Sequence, residues 1–295
     1  MREKFSQRSQ EYSDGPVVAV DVGTSSLKAG VVSPQGELLE YRRVPFELAQ
    51  SKPLETEAVD VWLRAMKTAF GSFRRISSVS AVALSGNGPT IVPVGRDGRV
   101  LDEASLWLNR RESRLAGAHS FFLPKIAWIK ERRREVYDRT EHFLGCPEYL
   151  SYYLTGEAAA FSPSAEFDRY IWDSQGIETY QVDRRKLPPI IRSGRVLGEV
   201  LPGAALVTGL PRGLPVVATG ADFLMSLVGT GVVRPGLTCD RAGTSEGINF
   251  CSDRKIQHER LRCLPHAIEG LYNICLLYTS PSPRDRTRSR MPSSA

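Results

Sequence analysis

Asp21, Gly23, Thr24, Ser25 and Lys28 lie together in a short polar stretch between two apolar, β-branched runs, Val17-Val18-Ala19-Val20 and Ala29-Gly30-Val31-Val32. Strand patterning on both sides makes this a hairpin whose turn holds the polar residues. A tight turn with glycine and short hydroxyls lets backbone N–H groups approach an anion without a Cβ in the way, so it suits a phosphate. Asp21 would repel that phosphate. A carboxylate beside a phosphate turn is most simply explained by a divalent cation between them, Mg2+ with its waters. An ordinary hairpin with a hydroxyl-rich turn fits these residues equally well. The stretch is not a Walker A loop, because no G-x-x-x-x-G-K-[ST] is present and a strand follows the turn.

A second Gly-Thr-Ser, Gly243-Thr244-Ser245, again sits between strand-like flanks. Shortly before it, Val216-Val217-Ala218-Thr219-Gly220-Ala221-Asp222 reads as a buried strand running into a loop, with a helix from Phe223 to about Gly229. Asp222 therefore stands at a helix N-terminus, which favours and orients a carboxylate. A helix N-cap is the plainer reading of Asp222. Two such turns with an aspartate at a strand end point to a phosphate clamp with a base.

The elements that must position these groups alternate between strands and helices. Glu37 to Pro45 returns as a third strand. Val59 to Phe73 places apolar residues at helical spacing, and Ser77 to Leu84 reads as a buried strand ending in the small-residue loop Ser85-Gly86-Asn87-Gly88-Pro89. Thr90 to Leu101 forms a further hairpin. Leu123 to Leu154 reads as two helices separated at Gly145-Cys146-Pro147, and Phe161 to Asp173 as loop-like. This is the α/β alternation of a layered domain.

The 295 residues have the composition of a globular chain, with 41% hydrophobic and 24% charged residues. No apolar run is long enough for a bilayer, and residues 1–14 are polar with no hydrophobic signal core, so a cytoplasmic chain without membrane partners is expected. The five cysteines show no C-x-x-C spacing, which argues against a zinc site and a disulfide framework. The net charge of +6 is no sign of nucleic-acid binding: Arg284, Arg286, Arg288 and Arg290 against Asp285 place +3 in the tail. The other basic clusters lie beside acids, without interleaved aromatics.

These residues resemble the FGGY family of carbohydrate kinases, within the ribonuclease H-like actin, sugar-kinase and Hsp70 ATPase fold. The carrying stretches are Asp21-Val22-Gly23-Thr24-Ser25 with Lys28, Leu106-Trp107-Leu108-Asn109-Arg110-Arg111, Leu123-Pro124-Lys125-Ile126-Ala127-Trp128, Pro147-Glu148-Tyr149-Leu150, Leu154-Thr155-Gly156-Glu157, Gly220-Ala221-Asp222 and Gly243-Thr244-Ser245. The resemblance implies ATP-dependent phosphoryl transfer to a sugar or polyol hydroxyl. Asp222 would be the general base and Asp21 the metal-associated carboxylate. Gly23, Thr24, Ser25 and Lys28, with Gly243, Thr244 and Ser245, would hold the phosphates of Mg-ATP. It also allows a homodimer of the full-length protein. The family pattern after the tryptophan is W-x-D-x-R, and here Asn109 replaces the carboxylate while Arg111 remains. Asn87 and Arg111 are the candidate substrate contacts, with a loop-capping amide and a surface ion pair as the alternatives. A non-catalytic sugar-binding regulator, or an actin-like or chaperone-like ATPase, competes with the kinase.

The resemblance divides the chain into a polar tail (1–14), a complete first domain (15–245), the start of a second (246–274) and a tail (275–295) unlike the family. Cys275-Leu276-Leu277-Tyr278-Thr279-Ser280 and the residues after it can be spelled as TGT CTC TTA TAC ACA TCT and onward, matching a transposase-type sequencing adapter. The expectation is that the natural sequence ends near Ile274 and that the chain, lacking most of its adenosine-binding domain, binds nucleotide weakly and turns over poorly.

Overall fold

The computed structural model describes residues 15–46, 54–107, 109, 112–113, 119–242 and 246–278. The tail 1–14, Arg111, the turn Gly243-Thr244-Ser245 and residues 279–295 lie outside the described residues. The chain begins as an antiparallel meander of β1 (Val17–Val22), β2 (Ser26–Val32) and β3 (Leu38–Pro45). Alternation sorts its faces. Val18, Val20 and Val22 of β1 and Leu27, Ala29 and Val31 of β2 are buried on one side, while Asp21 and its cross-strand partner Lys28 lie on the other.

α1 (Leu54–Gly71) belongs to the core on that apolar face. Ala58, Val61, Trp62, Ala65, Met66, Ala69 and Phe70 recur every three or four residues and are all buried. The helix starts about a turn before the Val59 that its periodicity marks. β4 (Ala81–Gly86) then pairs parallel to β1, with Asp21 opposite Ser85 and Val22 opposite Gly86.

After β5 (Val92–Gly95) come α2 (Leu123–Arg132), α3 (Arg134–Arg139), β6 (Thr140–Leu144) and α4 (Cys146–Thr155). The two-helix reading of this region is corrected by β6, which pairs antiparallel with β5. Thr140 and Phe143 are β-branched and aromatic, weak helix formers that fit a pleated strand. Phe143 and Leu144 are fully buried there.

Next are β7 (Ala160–Ser162), α5 (Asp168–Ile171), α6 (Ser174–Tyr180), β8 (Ile190–Arg192), β9 (Val196–Glu199), α7 (Pro202–Thr208), β10 (Pro215–Val217) and α8 (Asp222–Gly229). The loop-like reading of Phe161 to Asp173 is also corrected. β7 pairs parallel with β8, and Arg192 grips Asp168 through two bonds of 2.6 and 2.8 Å. Phe167, Ile171 and Trp172 are buried beside it. Both partners come from distant sequence, so nothing local announces the strand.

The main sheet runs β3-β2-β1-β4-β10-β9, with β1, β4 and β10 parallel. A second sheet runs β11 (Thr238–Ala242), β12 (Glu246–Ser252), β14 (Tyr272–Tyr278) and β13 (Arg262–Pro265). Cys251 of β12 shares a core with Leu224 and Leu227 of α8, joining this sheet to the helix that Asp222 opens. β14 pairs with β12 through Cys275 to Tyr278, so the boundary expected near Ile274 falls inside a strand.

Candidate active site

Asp21, Ser85 and the segment leading to Asp222 stand at the carboxyl ends of three neighbouring parallel strands, β1, β4 and β10. Ligands of open α/β sheets bind in the crevice outside such ends. The loop after β10 is fastened to β4. The Ser85 hydroxyl donates to Gly220 O at 3.0 Å, the Thr219 hydroxyl donates to Leu84 O, and the Ser193 hydroxyl donates to Thr219 O. Ala221 O accepts from the Leu224 and Met225 N–H groups at 2.9 and 3.0 Å, starting α8. Asp222 Oδ1 accepts the Phe223 N–H at 2.7 Å, so the carboxylate sits against its helix N-terminus.

Cys146 is fully buried in the first turn of α4. Burial raises its thiol pKa well above the ordinary value, and the charges of Glu148, Asp21 and Asp222 raise it further. Carboxylates far apart in sequence thus act on one sulfur. Glu148 is pushed up to about 7 by burial, against the stabilising N–H groups of its own residue and of Phe161. Its carboxylate folds back over Gly145, where a Cβ would lie 2.2 Å from Oε2.

In the hairpin turn, the Gly23 N–H donates to Ser26 O at 2.9 Å, and a Cβ at Gly23 would stand 2.9 Å from that same oxygen. Only glycine closes this turn without displacing backbone. Lys28 Nζ lies 2.9 Å from Asp21 Oδ2, each side chain about half exposed. Thr24 Oγ1 accepts the Trp107 indole N–H at 3.3 Å, and Ser25 is exposed. No cluster of three metal-ligating side chains occurs among the described residues. Half-exposed Asp21 beside a hydroxyl turn instead fits Mg2+, which keeps several waters and binds through one or two carboxylates plus phosphate oxygens.

The loop after β4 turns sharply: Gly86, Asn87 and Gly88 have φ of 122°, 54° and 44°. Asn87 is buried. Its Oδ1 accepts the Thr90 hydroxyl at 3.1 Å, while its Nδ2 has no protein partner. Gly88 packs under Trp107, with a Cβ there falling 3.3 Å from the Trp107 Cβ. Asn109 has an unpartnered, buried Nδ2 and offers its carbonyl to Lys125 Nζ at 2.8 Å. Arg111 and Gly243-Thr244-Ser245 fall outside the described residues; β11 and β12 on either side of the latter pair antiparallel, with Ala242 opposite Glu246.

Sequence reasoning missed the parts played here by Glu148, Cys146 and Lys125. A glutamate three residues after Gly145, at a helix start, was the available sign of Glu148. Nothing in type or spacing marked the burial of Lys125. A surface cleft of about 740 Å³ lined by Lys130, Tyr137, Gln181, Asp183 and Lys186 contains none of the expected site residues.

Residues 16–117 and 112–229 match the FGGY family of carbohydrate kinases, N-terminal domain. The chain belongs to this family. Over 259 residues the FGGY chain is 27% identical to a xylulose kinase of Bacillus subtilis, covering 78% of this chain and 52% of the relative. Its fold matches the crystal structure of xylulose kinase from Rhodospirillum rubrum with a TM-score of 0.75 at 22% identity, covering 89% of this chain and 60% of that one. A gluconate kinase from Lactobacillus acidophilus gives a TM-score of 0.76 at 16% identity, with coverages of 94% and 62%. The FGGY chain spans about half the length of the curated relatives it matches. Its α/β architecture is therefore the sugar-kinase fold, and no helix among its described residues is long and apolar enough to cross a membrane.

Proposed function

We propose that the full-length protein transfers the γ-phosphoryl group of ATP to a hydroxyl of a small sugar or polyol, in the cytoplasm. What supports this reading is that Asp21 and Ser85 lie at the carboxyl ends of β1 and β4, and that the loop after the neighbouring parallel β10 leads to Asp222 at the start of α8. Phosphoryl transfer asks little covalent chemistry of a protein, so positioning and charge are the main requirements.

In this reading Asp222 orients the substrate hydroxyl and accepts its proton as the oxygen bonds to phosphorus and the bond to the ADP leaving oxygen breaks. Such a base supplies roughly 10²- to 10⁴-fold. The backbone and hydroxyls of Gly23, Thr24 and Ser25, with Lys28 and the turn Gly243-Thr244-Ser245, receive the nucleotide phosphates. Asp21 would hold Mg2+ through its waters, and the ion would supply neutralisation of phosphate charge. The pairing of Lys28 with Asp21 keeps both charges compensated at the turn. Asn87 and Arg111 contact the sugar.

The test is sugar-dependent ADP release by the full-length protein across pentuloses, hexuloses and polyols, compared with Asp222→Asn. The variant is expected to lose about 10²-fold or more in kcat while still binding sugar. The Asn109 departure motivates the regulator reading, which wins if the wild type binds a sugar but releases no ADP. ATP hydrolysis indifferent to every sugar would instead favour the actin-like ATPase.

A further inference from the structure

Lys125 is fully buried on α2, a rare placement for an ammonium group. Its Nζ lies 3.0 Å from Leu106 O, 2.8 Å from Asn109 O and 3.2 Å from Glu112 Oε1. An ammonium has three donors, and three acceptors of one neighbouring segment surround it. Burial lowers its pKa, and Glu112 opposes that shift. An apolar side chain of the same length would fill the space without any charge to desolvate. The placement is therefore explained by what the amine holds in position.

What it holds is the backbone on either side of Trp107. The Trp107 indole donates to Thr24 Oγ1 in the phosphate hairpin, and its Cβ and Cγ pack 3.3 and 3.4 Å from the Cβ position of Gly88 in the loop after β4. Trp107 thus bridges the ends of β1 and β4. We propose that Lys125 is a positioning residue. By tying the carbonyls of Leu106 and Asn109 to α2, it sets the indole between the phosphate turn and the loop bearing Asn87, and so shapes the sugar side of the crevice. The effect on turnover rests on the kinase reading; the tether itself does not.

The chain has four tryptophans, and the indole N–H resonance of Trp107 is assigned by its loss in Trp107→Phe. Lys125→Met is expected to shift this resonance and speed its hydrogen exchange tenfold or more, leaving that of buried Trp62 unchanged. Glu112→Gln should leave Trp107 in place, because both carbonyl bonds remain. In the full-length protein, Lys125→Met is expected to raise the sugar KM tenfold or more, with no further increase when added to Trp107→Phe. A purely structural lysine would impose the same penalty in both backgrounds. A folded Lys125→Met with an unmoved Trp107 resonance, or additive effects on KM, would overturn the proposal. If Lys125→Met does not fold, Lys125→Arg is read by the same resonance. Its larger head group must displace the tethered carbonyls, and an unmoved Trp107 there would assign the lysine to stability alone. A wild type without sugar-dependent turnover would refute the kinase reading, and the resonance would still decide the tether.

Discussion

Replacing Gly86 with alanine places a methyl group into the Val22 peptide. The Cβ position at Gly86 is 2.3 Å from Val22 O, 2.4 Å from Val22 N and 2.8 Å from Val22 C, all backbone atoms. β1 cannot move aside, because it is held between β2 and β4 in the middle of the main sheet. The φ of 122° adds a second cost, since an L side chain rarely adopts that conformation. Backbone strain of this kind costs about 1–3 kcal/mol, and overpacking about 1–3 kcal/mol more. Gly36 separates the two contributions, having a φ of 86° but nothing within 4 Å of its Cβ position. Gly36→Ala should therefore cost only the conformational part, about 1–2 kcal/mol. Urea unfolding of both variants checks this. With an m-value of about 3 kcal/mol/M, Gly86→Ala should lower the midpoint by about 0.7–2 M, and Gly36→Ala by only about 0.3–0.7 M. Equal midpoints for the two variants would refute the claim that the close approach of β4 to β1 requires glycine.

Glu148 should make stability depend on pH. Its folded pKa of about 7 exceeds the ordinary 4.5, so between those values the folded chain binds more protons than the unfolded one. Its contribution is thus complete below about pH 4.5, declines as pH rises through 7 and levels off above, a loss of about 3 kcal/mol. Glu148→Gln should flatten this slope in urea midpoints measured from pH 5 to 8; parallel profiles for variant and wild type would contradict the assignment. The thiols should differ in reactivity, because the thiolate is the nucleophile and burial suppresses it. Iodoacetamide labelling followed by mass spectrometry should find Cys239 and Cys263, both partly exposed, modified first and buried Cys146 last. Labelling of Cys146 as fast as Cys263 would count against its burial in α4.

Local pattern carried a good deal of this molecule. The strands either side of the first turn, the amphipathic α1, the small-residue loop after β4 and the helix opening at Asp222 follow from side-chain periodicity, turn chemistry and helix-end preferences, which act over a few residues. Those forces are written in the chain itself. The remainder depended on contacts between distant segments. Thr140–Leu144 became a strand because β5 offers it an edge, and Ala160–Ser162 because β8 does. Lys125 became buried because the carbonyls of Leu106 and Asn109 reach it. The placement of Asp21 and of the loop before Asp222 on either side of the β4 end likewise comes from β1 and β10 both lying parallel to β4, a register that no window of sequence contains. Sequence by itself determined which residues have chemistry suited to a phosphate. Tertiary structure alone decided which of the described ones stand at the ends of neighbouring strands, because strand order and burial are properties of the whole packed chain and not of any segment.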